Sequence, residues 1–299
     1  MTVLIEGSVT LTTVESSSPP RHVTVLSIAL AVMAAITSAL TFFVPGILLG
    51  PEVTNGNARG TALVMLAGAV PVLLIAVLSA SRGSWRAVFF WLGSMLYLAY
   101  NAFLLLFLTP FNRLFLLNVA TESLAIFAVF ALIRALDPDW LLAQMRKVPF
   151  RGLAVFVWTI VVLNAAAWLQ VVVPALLAED PLAFLDEVGV ATNAIYVQDL
   201  VFWLPMMAVA AYWLWHRNSI GVLLTGSWLV FGVIEAIGIA VDQWFGHRAD
   251  PTSSFASEAV IPYMIGLALV NAIAVFFYVR PNRKKEVAAS RTGYATGAP

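Results

Sequence analysis

The sequence predicts an all-α, polytopic integral membrane protein with about eight transmembrane helices and both termini in the cytoplasm. Composition is the first reason: of 299 residues, 61% are hydrophobic and 11% are charged, with a mean hydropathy of +0.92. Soluble domains carry about a quarter charged residues. The second reason is that apolar stretches of about 20 residues, the length that a helix needs to cross a bilayer, recur along the chain. The third is that basic residues collect in alternate connections.

Short polar connections separate the apolar stretches and set the predicted spans. The third and fourth spans are the least clearly divided, because only residues 109–113 lie between them. Pro110 ends one helix there, and Asn112 and Arg113 give the turn a polar tip. The predicted spans are 22–44, 60–80, 85–108, 111–136, 150–177, 196–216, 220–245 and 258–280.

The basic residues predict the orientation. With the N-terminus in the cytoplasm, the inner side holds thirteen of the sixteen basic residues, and only Arg59, Arg113 and Arg248 lie outside. This is the positive-inside pattern, and seven or nine spans would destroy its alternation. We therefore expect a multi-pass protein of a bacterial plasma membrane. The thirteen inner residues are Arg21, Arg82, Arg86, Arg134, Arg146, Lys147, Arg151, Arg217, Arg280, Arg283, Lys284, Lys285 and Arg291.

The segments outside the predicted spans are interpreted from their composition. Residues 1–21 are rich in Ser and Thr and lack the basic start of a signal peptide, which predicts a disordered cytoplasmic tail. Residues 281–299 predict a second cytoplasmic tail, basic and then polar. Residues 137–147 begin with a helix-capping Asp137 and predict a short helix on the inner interface. Residues 179–197 are acidic and fit either a short amphipathic helix or a solvated loop.

Two carboxyl groups lie deep within the predicted spans. Glu122 is expected near the midplane, about 16 Å from the outer end of its helix, and Glu235 in the outer half, about 22 Å from the inner end. A charged side chain in hydrocarbon costs about 2.5–3.5 kcal/mol on insertion scales. Because neither residue has a basic partner at similar depth, each is expected to be protonated, hydrogen-bonded or facing a wet cavity.

Other polar residues share helix faces with these carboxyls or lie at similar depth. Most of them fall between the midplane and the outer surface, which predicts a polar cavity open to the outside. The alternative is that they form hydrogen bonds between packed helices. Asp199 and Asp242 are interpreted as helix-end or solvated residues. The candidate ligand-binding residues are Glu122, Glu235, Asn118, Tyr97, Asn101, Asn164, Gln170 and Asn271.

Several kinds of chemistry are excluded or disfavoured by what the sequence contains. The absence of cysteine excludes disulfides, thiolate metal sites and cysteine nucleophiles. All three lysines fall in inner connections, which excludes a retinal Schiff base. His22, His216 and His247 lie at span ends or in a loop, so no metal or haem site is expected. No catalytic residue, cofactor or nucleic-acid partner is predicted, and enzymatic activity is disfavoured.

The segment 82–133 contains the most recognisable sequence elements of the chain. Its recognisable elements are the turn from Arg82 to Ser84, Tyr97 with Tyr100 and Asn101, and the turn containing Phe111, Asn112, Leu114 and Phe115. With them the segment resembles a broad group of bacterial multispanning membrane proteins that have no assigned activity. The resemblance covers about a sixth of the chain and implies neither a function nor any site residue.

Two functional hypotheses remain open at this stage. In the first, an outward-facing polar site binds or moves a cation or a small polar solute, with the acidic outer surface concentrating cations near its mouth. In the second, the protein is a non-transporting scaffold or accessory subunit whose buried polar groups serve helix packing. The lipid bilayer is the expected partner in both.

Overall fold

A computed structural model describes residues 19–145 and 148–280 of the chain. Within these residues the protein is helical, without β-strands, and eight helices are long and apolar enough to cross a membrane, as predicted. A short ninth helix lies between the fourth and fifth spans. The helices are α1 Arg21–Phe43, α2 Glu52–Ser81, α3 Ala87–Phe107, α4 Phe115–Ala135, α5 Pro138–Gln144, α6 Phe150–Leu176, α7 Ala194–Trp215, α8 Ser219–Ala249 and α9 Glu258–Val279.

Successive spanning helices alternate in direction. Trp158 of α6 donates to the carbonyl of Ala208 in α7, and Trp168, further along α6, reaches back to Asp199. The starts of α1 and α3 meet where Trp91 donates to Ser27, and Arg86 donates to the carbonyl of Val279 at the end of α9. We call this end of the bundle the terminal face and the other end the distal face. The cytoplasmic location of the terminal face stays a prediction.

Helices α3 and α8 form the centre of the bundle. Of the most apolar stretch of each helix, 78% is buried in α3 and 67% in α8, against 17% in α6 and 22% in α9. The largest fully enclosed side chains include Trp91, Tyr97 and Phe89, all on α3. The outer helices direct apolar side chains away from the protein, as lipid contact requires.

Helix α2 begins eight residues before its predicted start at residue 60. Its polar first turns, residues 52–59, were expected in a connection because the segment is rich in Asn and Gly. In the structure Gly56 and Gly60 let the backbone of α2 lie directly on α8, and a Cβ at Gly60 would be 2.5 Å from Asp242 Cα. Such close approach through small residues stabilises helix pairs in membranes. Helix α8 continues to Ala249, past its predicted end at 245, and supplies the other half of this contact.

Helix α4 begins at Phe115, four residues later than predicted. The side chain of Asn112 accepts from the backbone N–H of Leu114 and donates to the carbonyl of Pro110, which holds residues 110–114 as a turn. Glu122 is therefore about 10 Å from the distal end of its helix, because each residue adds 1.5 Å. This places it in the distal third of α4, nearer the end of its helix than the predicted span had put it.

Aspartate side chains cap the N-termini of the short helices in two connections. Asp137 accepts from the backbone N–H groups of Asp139 and Trp140 and begins α5, as its sequence indicates. The acidic connection 179–193 contains a single 3₁₀ turn, Pro181–Leu185, begun by Asp180. The predicted tails, apart from residues 19–21, lie outside the described residues, as do Arg146 and Lys147.

Candidate functional site

Asn101 and Glu235 meet between the two central helices. The side-chain amide of Asn101 donates to Glu235 Oε2 at 3.0 Å and to the carbonyl of Tyr97 at 3.2 Å. Asn101 is only 3% exposed. Since α3 and α8 both start at the terminal face, the rise per residue puts this pair about 21–24 Å from that face, in the distal half. Two candidates chosen for their polarity are thus in direct contact.

Tyr97 lies one turn from Asn101 on the same face of α3. Its ring is fully buried, and its hydroxyl has no hydrogen-bond partner among the described residues. Gly238 makes room for it, because a Cβ there would lie 2.9 Å from the hydroxyl oxygen. Gly238 is three residues after Glu235 and four before Asp242, so the three share one face of α8. The hydroxyl therefore lies against the part of α8 that carries both carboxyls.

Asp199 on α7 is a second buried carboxyl, and its interpretation as a helix-end residue is wrong. It is 6% exposed and accepts from Tyr100 at 3.1 Å and from the indole of Trp168 at 2.7 Å. It lies at the start of a π-helical turn, Asp199–Trp203, a local widening often found at functional sites. The available sequence signal was its place beside Gln198, near the start of an otherwise apolar predicted span.

Asp242 is the third carboxyl of the group and is half-buried rather than solvated. Gln243 donates to it at 3.3 Å and accepts from the backbone of Ser257. The backbone of Asp242 lies against Gly60 of α2. Arg59, adjacent to Gly60, makes no ion pair with it, and its Nε has no hydrogen-bond partner in the described part of the chain.

These side chains form one group, which we call the carboxyl cluster. Glu235 and Asp242 share one face of α8, and the neighbours Tyr100 and Asn101 on α3 donate to Asp199 and Glu235 respectively. Within the described residues, no ion pair involves any of the three carboxyls, and no three His, Asp or Glu residues are placed to hold a metal ion. The carboxyl cluster consists of Asp199, Glu235 and Asp242 with Tyr97, Tyr100 and Asn101.

Aromatic rings close the carboxyl cluster toward the terminal face. Trp203, one turn past Asp199, stacks on Phe231 with ring centroids 5.2 Å apart and planes 2° apart. Trp228 meets Trp203 edge-on at 6.0 Å, and Tyr100 packs against Trp203 at 5.4 Å. Phe231 precedes Glu235 by one turn of α8. This aromatic layer therefore lies on the terminal side of the carboxyls and separates the carboxyl oxygens from water on that side.

Glu122 and Asn118 lie apart from the carboxyl cluster. Both are on α4, which packs against α1 and α3. Asn118 donates weakly to the carbonyl of Leu105 at 3.5 Å, and neighbouring Thr121 bonds to Thr37 of α1 at 3.1 Å. Glu122 Oε2 is buried without a partner among the described residues. No hydrogen bond joins Glu122 to the carboxyl cluster there, so the two predicted carboxyls occupy separate places.

The remaining candidates are also dispersed. Asn164 on α6 is half-buried, and Gln170 on the same helix is exposed. Asn271 on α9 is buried against Gly232 of α8, but its amide donates to the carbonyl of Leu267 in its own helix. Of the eight predicted site residues, the structure brings together Tyr97, Asn101 and Glu235. It adds Tyr100, Asp199 and Asp242, which were not among the candidates.

Comparisons of the chain with models of known families, with curated proteins and with solved structures found no match. The site is therefore interpreted from its own geometry. That geometry is a group of carboxyls, phenols and an amide, enclosed by helices and closed on one side by aromatic rings.

Proposed function

We propose that the protein binds a cation at the carboxyl cluster and moves it across the membrane, and that the cation is a proton. The observation that carries the proposal is the contact of Asn101 with Glu235 beside the unpartnered hydroxyl of Tyr97. A hydroxyl in that position can donate to a carboxylate or accept from a carboxylic acid. The Tyr97 hydroxyl can therefore form a hydrogen bond with a neighbouring carboxyl group whether that group is ionised or protonated.

The cost of burying carboxyls supports this function. An ionised carboxylate in hydrocarbon requires a positive partner, and for this reason acidic residues within spans usually mark ion or proton pathways. Asp199, Glu235 and Asp242 have no basic partner among the described residues. Helix packing alone could be served by amides at the same positions at lower cost. A bound proton neutralises the group without any other residue.

The side from which the cation arrives is proposed from the surroundings of the carboxyl cluster. The aromatic layer of Trp203, Phe231 and Trp228 lies on the terminal side. Asp242 continues the line of acidic groups toward the distal face, where exposed Glu52 and Glu258 raise the local concentration of cations. We place access on the distal face, with the aromatic layer acting as the barrier to the terminal face.

Proton flux into vesicles tests the proposal. The purified protein is reconstituted with a trapped pH-sensitive dye, and a potassium diffusion potential drives protons inward. Wild type is expected to acidify the interior, and Glu235→Gln to slow this by about a hundredfold, as is typical when a proton-transferring side chain is lost. Gln keeps the shape of Glu and the bond from Asn101, so folding is expected to survive. A parallel sodium gradient with a sodium dye distinguishes the proton from Na⁺.

Glu122→Gln is the control, because it makes the same substitution at a half-buried carboxyl outside the carboxyl cluster. Its flux is expected to equal that of wild type. The proposal fails if wild-type vesicles acidify no faster than empty ones, or if Glu235→Gln retains the wild-type rate. Either result favours the scaffold function, in which the same groups serve helix packing. Asp199→Asn provides a second variant if Glu235→Gln does not fold.

The bacterial plasma membrane and the cytoplasmic terminal face belong to the same proposal and rest on the distribution of basic residues. The chain has no cysteine, so single cysteines can report sidedness without background. Ala183→Cys lies in the distal connection and Ala143→Cys in α5 at the terminal face, and both positions are exposed. In intact cells a membrane-impermeant maleimide is expected to label Ala183→Cys alone. Labelling of Ala143→Cys alone would reverse the orientation.

A further inference from the structure

A pocket on the terminal face, far from the carboxyl cluster, has the chemistry of an anion site. It lies between the start of α6 and the turn that joins α7 to α8, and its volume is about 600 Å³. Pockets of about 300–1,000 Å³ suit small ligands. Its walls combine three basic side chains with apolar ones: Val148, Phe150, Arg151, Trp215, His216 and Arg217. We infer that this pocket binds the phosphate group of an anionic lipid headgroup or of a free phosphate compound.

The two arginines of the pocket lie over aromatic rings, without a carboxylate partner. The guanidinium carbon of Arg151 lies 5.3 Å from the ring centre of Trp215, and that of Arg217 lies 5.6 Å from the ring centre of Phe150. Among the described residues neither forms an ion pair. Stacking on a ring orients a guanidinium while leaving its N–H edge free, and that edge matches phosphate oxygens in a bidentate geometry.

The backbone at Arg217 indicates that its placement is specific. Its φ is +57°, in the left-handed region, where it is the one non-glycine residue in the described chain. Glycine usually ends a helix in this conformation. The turn is held by the N–H of Arg217 on the carbonyl of Leu214, and Asn218 then caps α8. A strained arginine here directs its side chain toward Phe150, and strain of this kind is often retained where a side chain binds a ligand.

His216 adds a third group to the same wall. Its Nδ1 lies 2.9 Å from the carbonyl of Tyr212, which can only accept, so Nδ1 carries the hydrogen. The ring thereby lies beside the two guanidinium groups in the wall of the pocket. Two positive charges around one cavity fit a phosphate group better than a neutral ligand.

The surface next to the pocket, on its distal side, suits acyl chains. Val155 lies one turn from Arg151 on α6, and Val209 lies two turns from His216 on α7. Their side chains are 50% and 46% exposed. The two helices are joined by the bond from Trp158 to the carbonyl of Ala208. A headgroup in the pocket would therefore have its chains along an apolar surface, as basic pockets between spans allow. A soluble phosphate compound would use the pocket alone.

Titration of the purified full-length protein in detergent tests the inference. Short-chain phosphatidylglycerol, short-chain phosphatidylcholine and inorganic phosphate are added in separate series, and the midpoint of thermal unfolding is measured. Phosphatidylglycerol is expected to raise the midpoint saturably, and phosphatidylcholine to have little effect. Arg151→Gln and Arg217→Gln should each weaken the apparent affinity about tenfold, since each removes charge-assisted hydrogen bonds. Arg82→Gln, an exposed arginine of the same face outside the pocket, should leave it unchanged.

A variant that keeps all charges separates binding in the pocket from attraction to the whole face. Gly152 lines the pocket, and a Cβ there would meet nothing within 4 Å, so the side chain of Gly152→Leu begins in open space and occupies part of the pocket. It is expected to abolish the saturable shift. If inorganic phosphate alone reproduces the shift, the ligand is a soluble phosphate compound; if only phosphatidylglycerol does, it is a lipid. An equal response to phosphatidylcholine, or an unchanged affinity in Gly152→Leu, overturns the inference.

Discussion

Buried polar side chains find their hydrogen-bond partners in different places in the terminal and distal halves of the bundle. In the terminal half, Ser27, Ser94 and Ser227 each donate to the carbonyl four residues earlier in their own helix. In the distal half, Glu235 and Asp199 accept from side chains of other helices. The hydroxyl of a serine can donate to a carbonyl of its own helix, whereas an ionised carboxylate only accepts and needs donors from elsewhere. The distal half therefore depends on tertiary packing for its chemistry.

The largest difference is expected between two glycine substitutions. At Gly60, in the distal half, a Cβ would lie 2.5 Å from the backbone of Asp242, and backbone atoms cannot move without shifting the helix. At Gly226, in the terminal half, it would meet the packed rings of Phe89 and Tyr278 at 2.6 Å, and side chains shift at lower cost than backbone. Gly60→Ala should cost about 3 kcal/mol of unfolding free energy and Gly226→Ala about 1 kcal/mol.

Unfolding in mixed micelles of increasing SDS content measures both glycine variants against wild type. Gly83→Ala is not a suitable control, because Gly83 has a φ of +85° that alanine avoids. Gly266→Ala is suitable, since a Cβ there meets nothing within 4 Å. Equal losses for Gly60→Ala and Gly226→Ala would show that the two halves tolerate crowding alike.

An intermediate difference is expected between two tryptophans that donate through the indole. Trp168 donates to the carboxyl of Asp199, and Trp91 donates to the hydroxyl of Ser27. Replacement by Phe removes one donor in each case, but more buried apolar area at the enclosed Trp91 than at the half-buried Trp168. Bonds to charged groups contribute about 1.5–3 kcal/mol and neutral ones about 0.5–1.5 kcal/mol. For each Å² of buried apolar area removed, Trp168→Phe should therefore lower the midpoint of thermal unfolding more than Trp91→Phe, and a smaller loss per Å² would contradict the comparison.

The smallest expected effect lies in the distal loops and depends on pH. The hydroxyl of Ser253 and the N–H of Ser254 donate to the carboxylate of exposed Glu187, at 2.6 and 2.8 Å. These hydrogen bonds, that of Ser253 foremost, hold the pKa of Glu187 below its ordinary value of 4.5. A lowered folded-state pKa stabilises the protein above the unfolded value, and this contribution is lost as the pH falls through the folded value.

The pH effect is measured as the difference in unfolding midpoint between wild type and Glu187→Gln. The difference should be present at neutral pH and shrink as the pH falls below the ordinary glutamate pKa of 4.5. Glu179→Gln, at an exposed position in the same connection, is the control substitution. A difference that grows on acidification would contradict the assigned role of the serine contacts.

Part of the carboxyl cluster was predictable. Tyr97 and Asn101 are one turn apart in an apolar span, and Glu235 is a carboxyl where hydrocarbon disfavours one, so local spacing and desolvation mark all three. Asp199 and Asp242 were not chosen as candidate site residues because they lie near predicted span ends, where an acidic residue is ordinary. Glu122 has the same local signal as Glu235, yet it faces α1 and α3 rather than α8. Spacing along a helix defines a face without saying which helix covers it.

The sequence by itself determined the all-α fold class, the eight spans and the turns between them, because hydropathy, proline and capping residues act over short distances. Only the tertiary structure decided that α2 starts at Glu52, since its polar first turns are helical only where glycines let them pack on α8. It also decided which carboxyls meet. Donors to Asp199 come from residues 31 and 99 positions away, and no local pattern encodes contacts at that separation.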